Sequence, residues 1–436
     1  MEGVVAHIQA LSNSPGDLSQ LVAQLRTQTP QLIAHATAIP DAVQTLEPGA
    51  HSLGMSYLLD AWCRAGLNQN GDAIFINSTS RLLQEAQPQI RTSPDVFCRV
   101  CRAFKDQVIA AGCPRMGILP LISAIRSLQE SSDMLTPMHA DCFQLCLLSK
   151  CYNASAKLLE DDIYNVDPSR TACTPQDLLL YSYYGGMLCT GRKQYARALE
   201  LFMLGLTAPS MTRSAIALAI FKKHVLVSLI HLGHLPALPK FAPQSVRSMA
   251  DAEARFYLDL AQAYATHSSQ KLARSVESHA QAFEADGNMG LVQLVVSSLA
   301  TRSIQRLTQT YLTLSLADIA SRVGLASPEQ AEMHLIGMLQ TGDIHASISE
   351  EDGGMVRFLE ESDEAARSVA GKTDLARRLE AHIRKCMGVA DRVQQLQDSV
   401  STDREYLKKV GQKERARFDL GSEFEGFAGG STMFQP

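Results

Sequence analysis

A chain of 436 residues, 46% hydrophobic and 19% charged, has the composition of a folded protein and length enough for two or three packed units. Its formal net charge of -5 argues against a polyanionic partner, and an aromatic content of 6% in a text dominated by Ala and Leu favours close-packed helices over a sheet-built core. No uninterrupted apolar run reaches membrane-spanning length, and the start Met1-Glu2-Gly3-Val4 lacks the basic segment and apolar core of a secretory signal, so the protein is expected to stay inside the cell.

From the start to about Arg302, apolar-periodic blocks alternate with short polar or Gly/Pro punctuation. The segments Asp17 to Leu25, Ser52 to Ala65, Val96 to Ala111, Met116 to Leu128 and Pro137 to Cys151 read as helices. So do Pro175 to Cys189, Gln194 to Leu206, Ser214 to Leu232 and Ala252 to Thr266. This succession predicts an all-α helical-repeat solenoid, with N-terminal repeats over 1–213 and further helices over 214–302; a plain all-helical domain without a repeat is the alternative. The clearest pair joins Leu178 to Cys189 with Tyr195 to Leu206. Small residues at Gly186 and Ala198 let its helices approach, and Phe202, four after Ala198, is expected to fill the space toward the next pair. That spacing resembles a tetratricopeptide repeat.

Catalytic constellations are weak in this text. It holds no His-Glu-x-x-His or His-x-His metal signature, no Gly-rich phosphate loop and no Gly-x-Ser-x-Gly elbow. Cys98-Arg99-Val100-Cys101 has the spacing of a redox or zinc pair, and the spacing of Cys142 and Cys146 would put them on one face of a helix, but neither pair has the turn glycines, the histidine set or the second close pair of a metal site. Most of the ten cysteines therefore read as small apolar side chains inside helices. His231 and His234 end an apolar helix and are explained by its C-terminus. Lys222-Lys223-His224 reads as a solvated face, or as a contact to an acidic neighbouring subunit, and Tyr181, Tyr183 and Tyr184 as packing residues. No catalytic residue, metal site or cofactor is expected.

Residues 303–362 read as a small winged-helix module. Ser315 precedes Leu316 with Asp318 at the third position, and Ser327 precedes Pro328 with Gln330 at the third, both of them capping patterns. The first helix should stop at Gly324 and the second near Thr341-Gly342. Strands are expected over His345 to Ser349 and Met355 to Leu359, joined by a wing turn at Asp352-Gly353-Gly354. A module of this shape that read DNA would carry cations on its last helix and wing. Here Glu329, Glu332, Asp343, Glu350, Glu351 and Asp352 face the single base Arg357, which points to protein contact. Met355, Val356 and Phe358, on the strand taken as the sheet edge, are the expected interface residues.

A long helix is expected over 363–410. Leu375, Leu379, His382, Cys386, Val389, Val393, Leu396 and Val400 recur at alternating spacings of four and three, a heptad stripe with one polar position. All but His382 are expected interface residues, covered by partner helices or, as the alternative, by the protein's own solenoid. Residues 411–436, with Gly421, Gly426, Gly429 and Gly430, read as a disordered tail.

Several local segments carry a family resemblance: His51-Ser52-Leu53-Gly54, the run His139 to Leu148, Tyr183-Tyr184-Gly185-Gly186-Met187, Asn288-Met289-Gly290-Leu291-Val292, Ile304 to Thr308, and Leu314 to Val323. With helix pairs feeding a winged helix, the chain resembles the PCI-domain family, found in the proteasome lid, the COP9 signalosome and the translation initiation factor 3 complex, and is most similar to its signalosome members. The resemblance implies a non-catalytic scaffold in cytoplasm and nucleus, supporting removal of NEDD8 from cullin-RING ubiquitin ligases by metalloprotease chemistry in a different subunit. Its partners would be other signalosome subunits, met through the winged-helix edge and a shared helix bundle, and cullin-RING ligases through the complex, with no direct nucleic acid or membrane. A related PCI subunit of the proteasome lid is the alternative. The tail matches no motif.

Overall fold

The computed structural model describes residues 2–12, 17–66, 71–325, 327–349, 354–359 and 369–412. They fall into two compact units, residues 1–310 with 316–338 and residues 311–315 with 339–436. The first unit is built of helices. It runs through α1 (Glu2–Leu11), α2 (Asp17–Ala34), α3 (Ile39–Gln44), α4 (Ser52–Arg64), α5 (Ala73–Glu85), α6 (Pro94–Ala110), α7 (Ile118–Leu128) and α8 (Pro137–Leu148). After the short α9 (Ala156–Glu160) and α10 (Pro168–Thr171) come α11 (Pro175–Gly191), α12 (Tyr195–Thr207), α13 (Ala215–His231), α14 (Gln244–Glu253) and α15 (Arg255–Ala265). It continues with α16 (Ser269–Ser278), α17 (Ala280–Ala285), α18 (Met289–Thr310), α19 (Leu316–Val323) and α20 (Pro328–Thr341) as far as Met338.

Local chemistry starts and stops these helices. Asp72 Oδ1 accepts from the N–H groups of Ile74 and Phe75 at the head of α5. On α11, Thr174 Oγ1 accepts from Asp177 N–H, while Asp177 Oδ2 accepts from Thr174 N–H at 2.9 Å, so two orphan donors are satisfied reciprocally. Ser327 Oγ accepts from Gln330 N–H on α20. Gly324, at φ +79°, closes α19; its N–H and that of Leu325 both donate to Ala320 O at 2.9 Å. Gly342, at φ +76°, ends α20. The segment expected as one helix from Ala252 breaks at Ala254, where φ −115° and ψ 21° separate α14 from α15. Neither Gly nor Pro marks this break; Ala254 is wholly buried, and the neighbouring helices set the bend.

Helices α11, α12 and α13 pack through missing side chains. A Cβ on Gly186 would lie 2.2 Å from Phe202 Cε1, and one on Gly205 would lie 2.7 Å from Ile220 Cδ1. Phe202 therefore seats its ring on Gly186 inside its own helix pair, not toward the next one as the spacing suggested. Ala198 beside it is fully buried.

Helix α13 is apolar nearly all round, and its neighbours cover it: it packs against α11, α12, α14, α15 and α18. The Lys222-Lys223-His224 sequence consequently lies in packed structure and is not a solvated face. Lys222 Nζ donates to both Asp286 carboxylate oxygens at 2.8 and 2.7 Å and sits 5.5 Å from the Phe256 ring centroid. Tyr257 OH donates to Asp286 Oδ2 at 2.9 Å, and Asn288 Nδ2 donates to Tyr257 OH. Burial lowers the Lys223 pKa. His224 is buried, and desolvation pushes its pKa down to about 4. At the end of α13, Arg302 Nη2 donates to the carbonyls of Ile230 and His231, closing the helix beside His231.

The ten cysteines are free thiols. Cys98, Cys101, Cys142, Cys146, Cys173 and Cys189 are buried, whereas Cys113 and Cys386 are exposed. Burial raises the Cys98 and Cys101 thiols, which opposes thiolate chemistry. Tyr181 is buried against Phe143 and His139, a packing role.

Two expected outcomes test this packing. Gly186→Ala should lower stability by about 1–3 kcal/mol, measured by denaturant unfolding, and combining it with Phe202→Leu should cost less than the sum of the single changes; strict additivity would contradict the ring-on-glycine contact. Because His224 stays neutral in the folded state to about pH 4 while an unfolded histidine protonates near pH 6.5, the unfolded state binds more protons between those values. Stability should therefore fall as pH falls through that window, by roughly 1.4 kcal/mol per pH unit from this residue. His224→Leu should flatten the slope by that amount in urea titrations from pH 7 to 5.

Candidate assembly interface

In the second unit β1 (Thr313–Ser315), β2 (Ala346–Ser349) and β3 (Met355–Phe358) form an antiparallel sheet in the order β1-β3-β2. Thr313 pairs with Arg357 and Leu314 with Val356, while Ala346 pairs with Phe358 and Ile348 with Val356. β3 is the central strand. The expectation that Met355, Val356 and Phe358 form a sheet edge is thereby corrected: both sides of that strand are occupied, Val356 and Phe358 are buried, and Met355 is half-buried. The first strand, short and separated from the others by two helices, returns to pair beside the wing strand. Asp352 and Gly353 of the expected wing turn lie outside the described residues; Gly354 has φ +79°.

Two hydrogen bonds fix which backbone groups point outward. Leu359 N–H donates to His345 O and Phe358 N–H to Leu312 O, each at 2.8 Å. In an antiparallel ladder bonded and non-bonded pairs alternate, so Ser347 and Ser349 turn their groups toward β3. Ala346 and Ile348 turn theirs away from it. Likewise Leu314 faces β3, and Thr313 and Ser315 face the other way. Among the described residues no further strand pairs with the outer side of β2.

The long helix Val369–Thr402 carries the heptad stripe. Leu375, Leu379, Val389, Val393, Leu396 and Val400 are all exposed, Leu379 at 59% and Leu396 at 60%; Cys386 is exposed too. Ile383, one turn after Leu379, and Met387, one turn further, are also exposed and widen the stripe. Heptad counting omitted both because they fall beside its a and d positions. Residues 363–368 of the expected helix lie outside the described residues. At its other end the helix does not continue to Val410: it stops before Asp403, whose carboxylate accepts from Glu405 N–H at 3.1 Å, and a second helix spans 404–412. Gly411 and Gln412, expected in the tail, close that helix, while 413–436 lie outside the described residues.

Within the first unit, sequence reading missed a set of ion pairs that fixes the early helices. Arg99, Arg102 and Lys105, three residues apart on α6, reach acids on three other helices. Arg99 makes two bonds to Asp60 on α4 at 2.9 and 3.1 Å, Arg102 meets Asp177 on α11 at 2.6 Å, and Lys105 meets Asp141 on α8 at 3.0 Å. Burial raises the Asp141 carboxyl against the pull of Lys105. The i, i+3, i+6 spacing on α6 was the available signal. Each cation has a carboxylate partner, and among the described residues no group of three or more His, Cys, Asp or Glu is placed to hold a metal ion.

Comparison with known proteins agrees with this architecture. Residues 15–246 match the family described as COP9 signalosome complex subunit 3, N-terminal helical repeats, and residues 276–358 match the PCI domain. The COP9 signalosome complex subunit 3 of Arabidopsis thaliana is 39% identical over 427 residues, covering 98% of this chain and 96% of that protein. The protein of the same description from Dictyostelium discoideum is 30% identical over 384 residues, covering 87% and 90%. With helical repeats, a PCI winged helix and near end-to-end similarity, the chain belongs to the COP9 signalosome complex subunit 3 family.

Proposed function

We propose that the chain is a non-catalytic scaffold subunit of the COP9 signalosome that holds neighbouring subunits through the outer side of β2 and its exposed terminal helix. The observation that carries this reading is the exposed apolar stripe from Leu375 to Val400, a surface of bundle type on a helix with no chemistry of its own. The outer side of β2, with no further strand on it among the described residues, adds a second means of attachment by strand addition. Family membership supports a place among other signalosome subunits, with cullin-RING ligases met through the complex and removal of NEDD8 performed by another subunit. Residence in cytoplasm and nucleus follows from the same reading. Similarity over nearly the whole length of signalosome subunits favours it over a proteasome-lid role.

Strand addition gives a position-specific outcome. Ala346→Pro removes an outward N–H and leaves the β2–β3 ladder intact, so this variant should stay folded and lose recovery of partner subunits in co-purification, whereas Ala346→Thr should retain it. Equal recovery for both would end edge pairing at β2. Val356→Pro should instead unfold the sheet, since its N–H points to β1.

The stripe is tested by changing Leu379 and Leu396 together to Asp. Both side chains are exposed in the isolated chain, so its melting temperature should hold while co-assembly falls sharply, because charges enter an apolar seam. A lowered melting temperature with unchanged partner recovery would assign the stripe to packing within the chain. The purified single chain should show no isopeptidase activity on NEDD8-modified cullin; zinc-dependent cleavage by it would contradict a scaffold role.

A further inference from the structure

A groove of about 670 Å³ opens on the first unit between α5, α7 and the chain entering α9. Its floor is apolar, built from Leu119, Ile122 and Leu158, and Leu119 is 71% exposed although it belongs to a helix whose other apolar residues are largely buried. Arg126, Lys157 and Gln84 provide the charged and polar rim, and no carboxylate lines it. The neighbouring cations Arg170 and Arg197 are taken by Glu130 and Asp162 at 2.5 and 2.6 Å. By contrast, the side chains of Arg126 and Lys157 are exposed and form no hydrogen bond or ion pair among the described residues.

We propose that this groove receives an acidic amphipathic segment of a partner protein, its Leu or Phe side chains on the Leu119–Ile122–Leu158 floor and its carboxylates against Arg126 and Lys157. Charge complementarity selects the occupant: two unpaired cations beside an apolar trough match a segment that alternates apolar and acidic residues, and repel a basic one. Nucleic acid fits poorly, because the lining has no aromatic side chain on which a base could stack and only two cations for the phosphates. The site is separate from the sheet edges and terminal helix, so it does not depend on the assembly reading above.

The test uses the full-length chain and a fluorescent peptide of twelve residues alternating Glu with Leu or Phe, with binding followed by anisotropy. A matched peptide with Lys for Glu and a single-stranded RNA oligonucleotide serve as controls. Binding of the acidic peptide is expected, weakened about tenfold or more by Arg126→Glu with Lys157→Glu and by added salt, and retained by Arg126→Lys with Lys157→Arg. Leu119→Ser should weaken it through the floor alone, with no change of charge. Circular dichroism and melting should be unchanged in every variant, since the altered side chains are exposed and unpaired. No binding of the acidic peptide, equal binding to the charge-reversed chain, or a preference for the Lys peptide or the RNA would overturn the proposal.

Discussion

Lys222 and Asp286 form the contact on which the second half of the helical unit turns. Lys222 sits on α13, which packs against α11, α12, α14, α15 and α18, and its side chain is only 14% exposed. Its ammonium donates two hydrogen bonds to Asp286, whose Oδ2 also accepts from Tyr257 of α15. Asp286 itself is an exposed residue, so solvent screens the pair and losing one partner should cost only on the order of 1 kcal/mol; its weight is in fixing which segments meet. Asn288 extends the cluster: its amide donates to Tyr257 OH, and its carbonyl accepts from Val292 N–H in the first turn of α18. One ion pair thereby ties α13 to α15 and fixes where α18 begins.

The same economy of contact operates earlier in the unit, with different chemistry. Around α11 the helices meet by subtraction, Gly186 and Gly205 leaving room for Phe202 and Ile220. Around α6 they meet by charge, through Arg99, Arg102 and Lys105. Close-packed glycine contacts gain dispersion over a broad area but tolerate no added methyl. Ion pairs between helices contribute less net energy and more specificity of pairing, since a misaligned helix would strand Asp60, Asp141 or Asp177 away from water without a cation. A chain of similar Ala- and Leu-rich helices gains its unique order from both devices.

Surfaces left over from this construction are what a scaffold works with. Among the described residues β2 carries no further strand on its outer side, and the long helix with its heptad stripe leaves an exposed seam. Neither feature demands a titrating group, a metal or a nucleophile. This accounts for a chain of this length whose internal charges are spent on holding helices together.

The main helical blocks, the cap at Ser327, the stops at Gly324 and Gly342, the order of elements in the winged helix and the Leu375–Val400 stripe were legible in the sequence, because each rests on interactions within a few residues: apolar period, side-chain to N–H capping, and the backbone freedom of glycine. Strand order was not legible. Which of β2 and β3 is central depends on where the distant Thr313–Ser315 segment docks, and no local pattern records that, so Val356 read as an edge when it is the middle. The Lys222-Lys223-His224 run misled for the same reason: three polar residues in a row look solvated until Asp286, sixty-four residues beyond Lys222, folds over them. Sequence by itself determined the main elements, the helical-repeat class and the apolar stripe of the terminal helix, since short-range physics sets them; tertiary structure alone decided strand neighbours, the partners of buried charges and the seat of Phe202, since those depend on contacts between residues far apart in the chain.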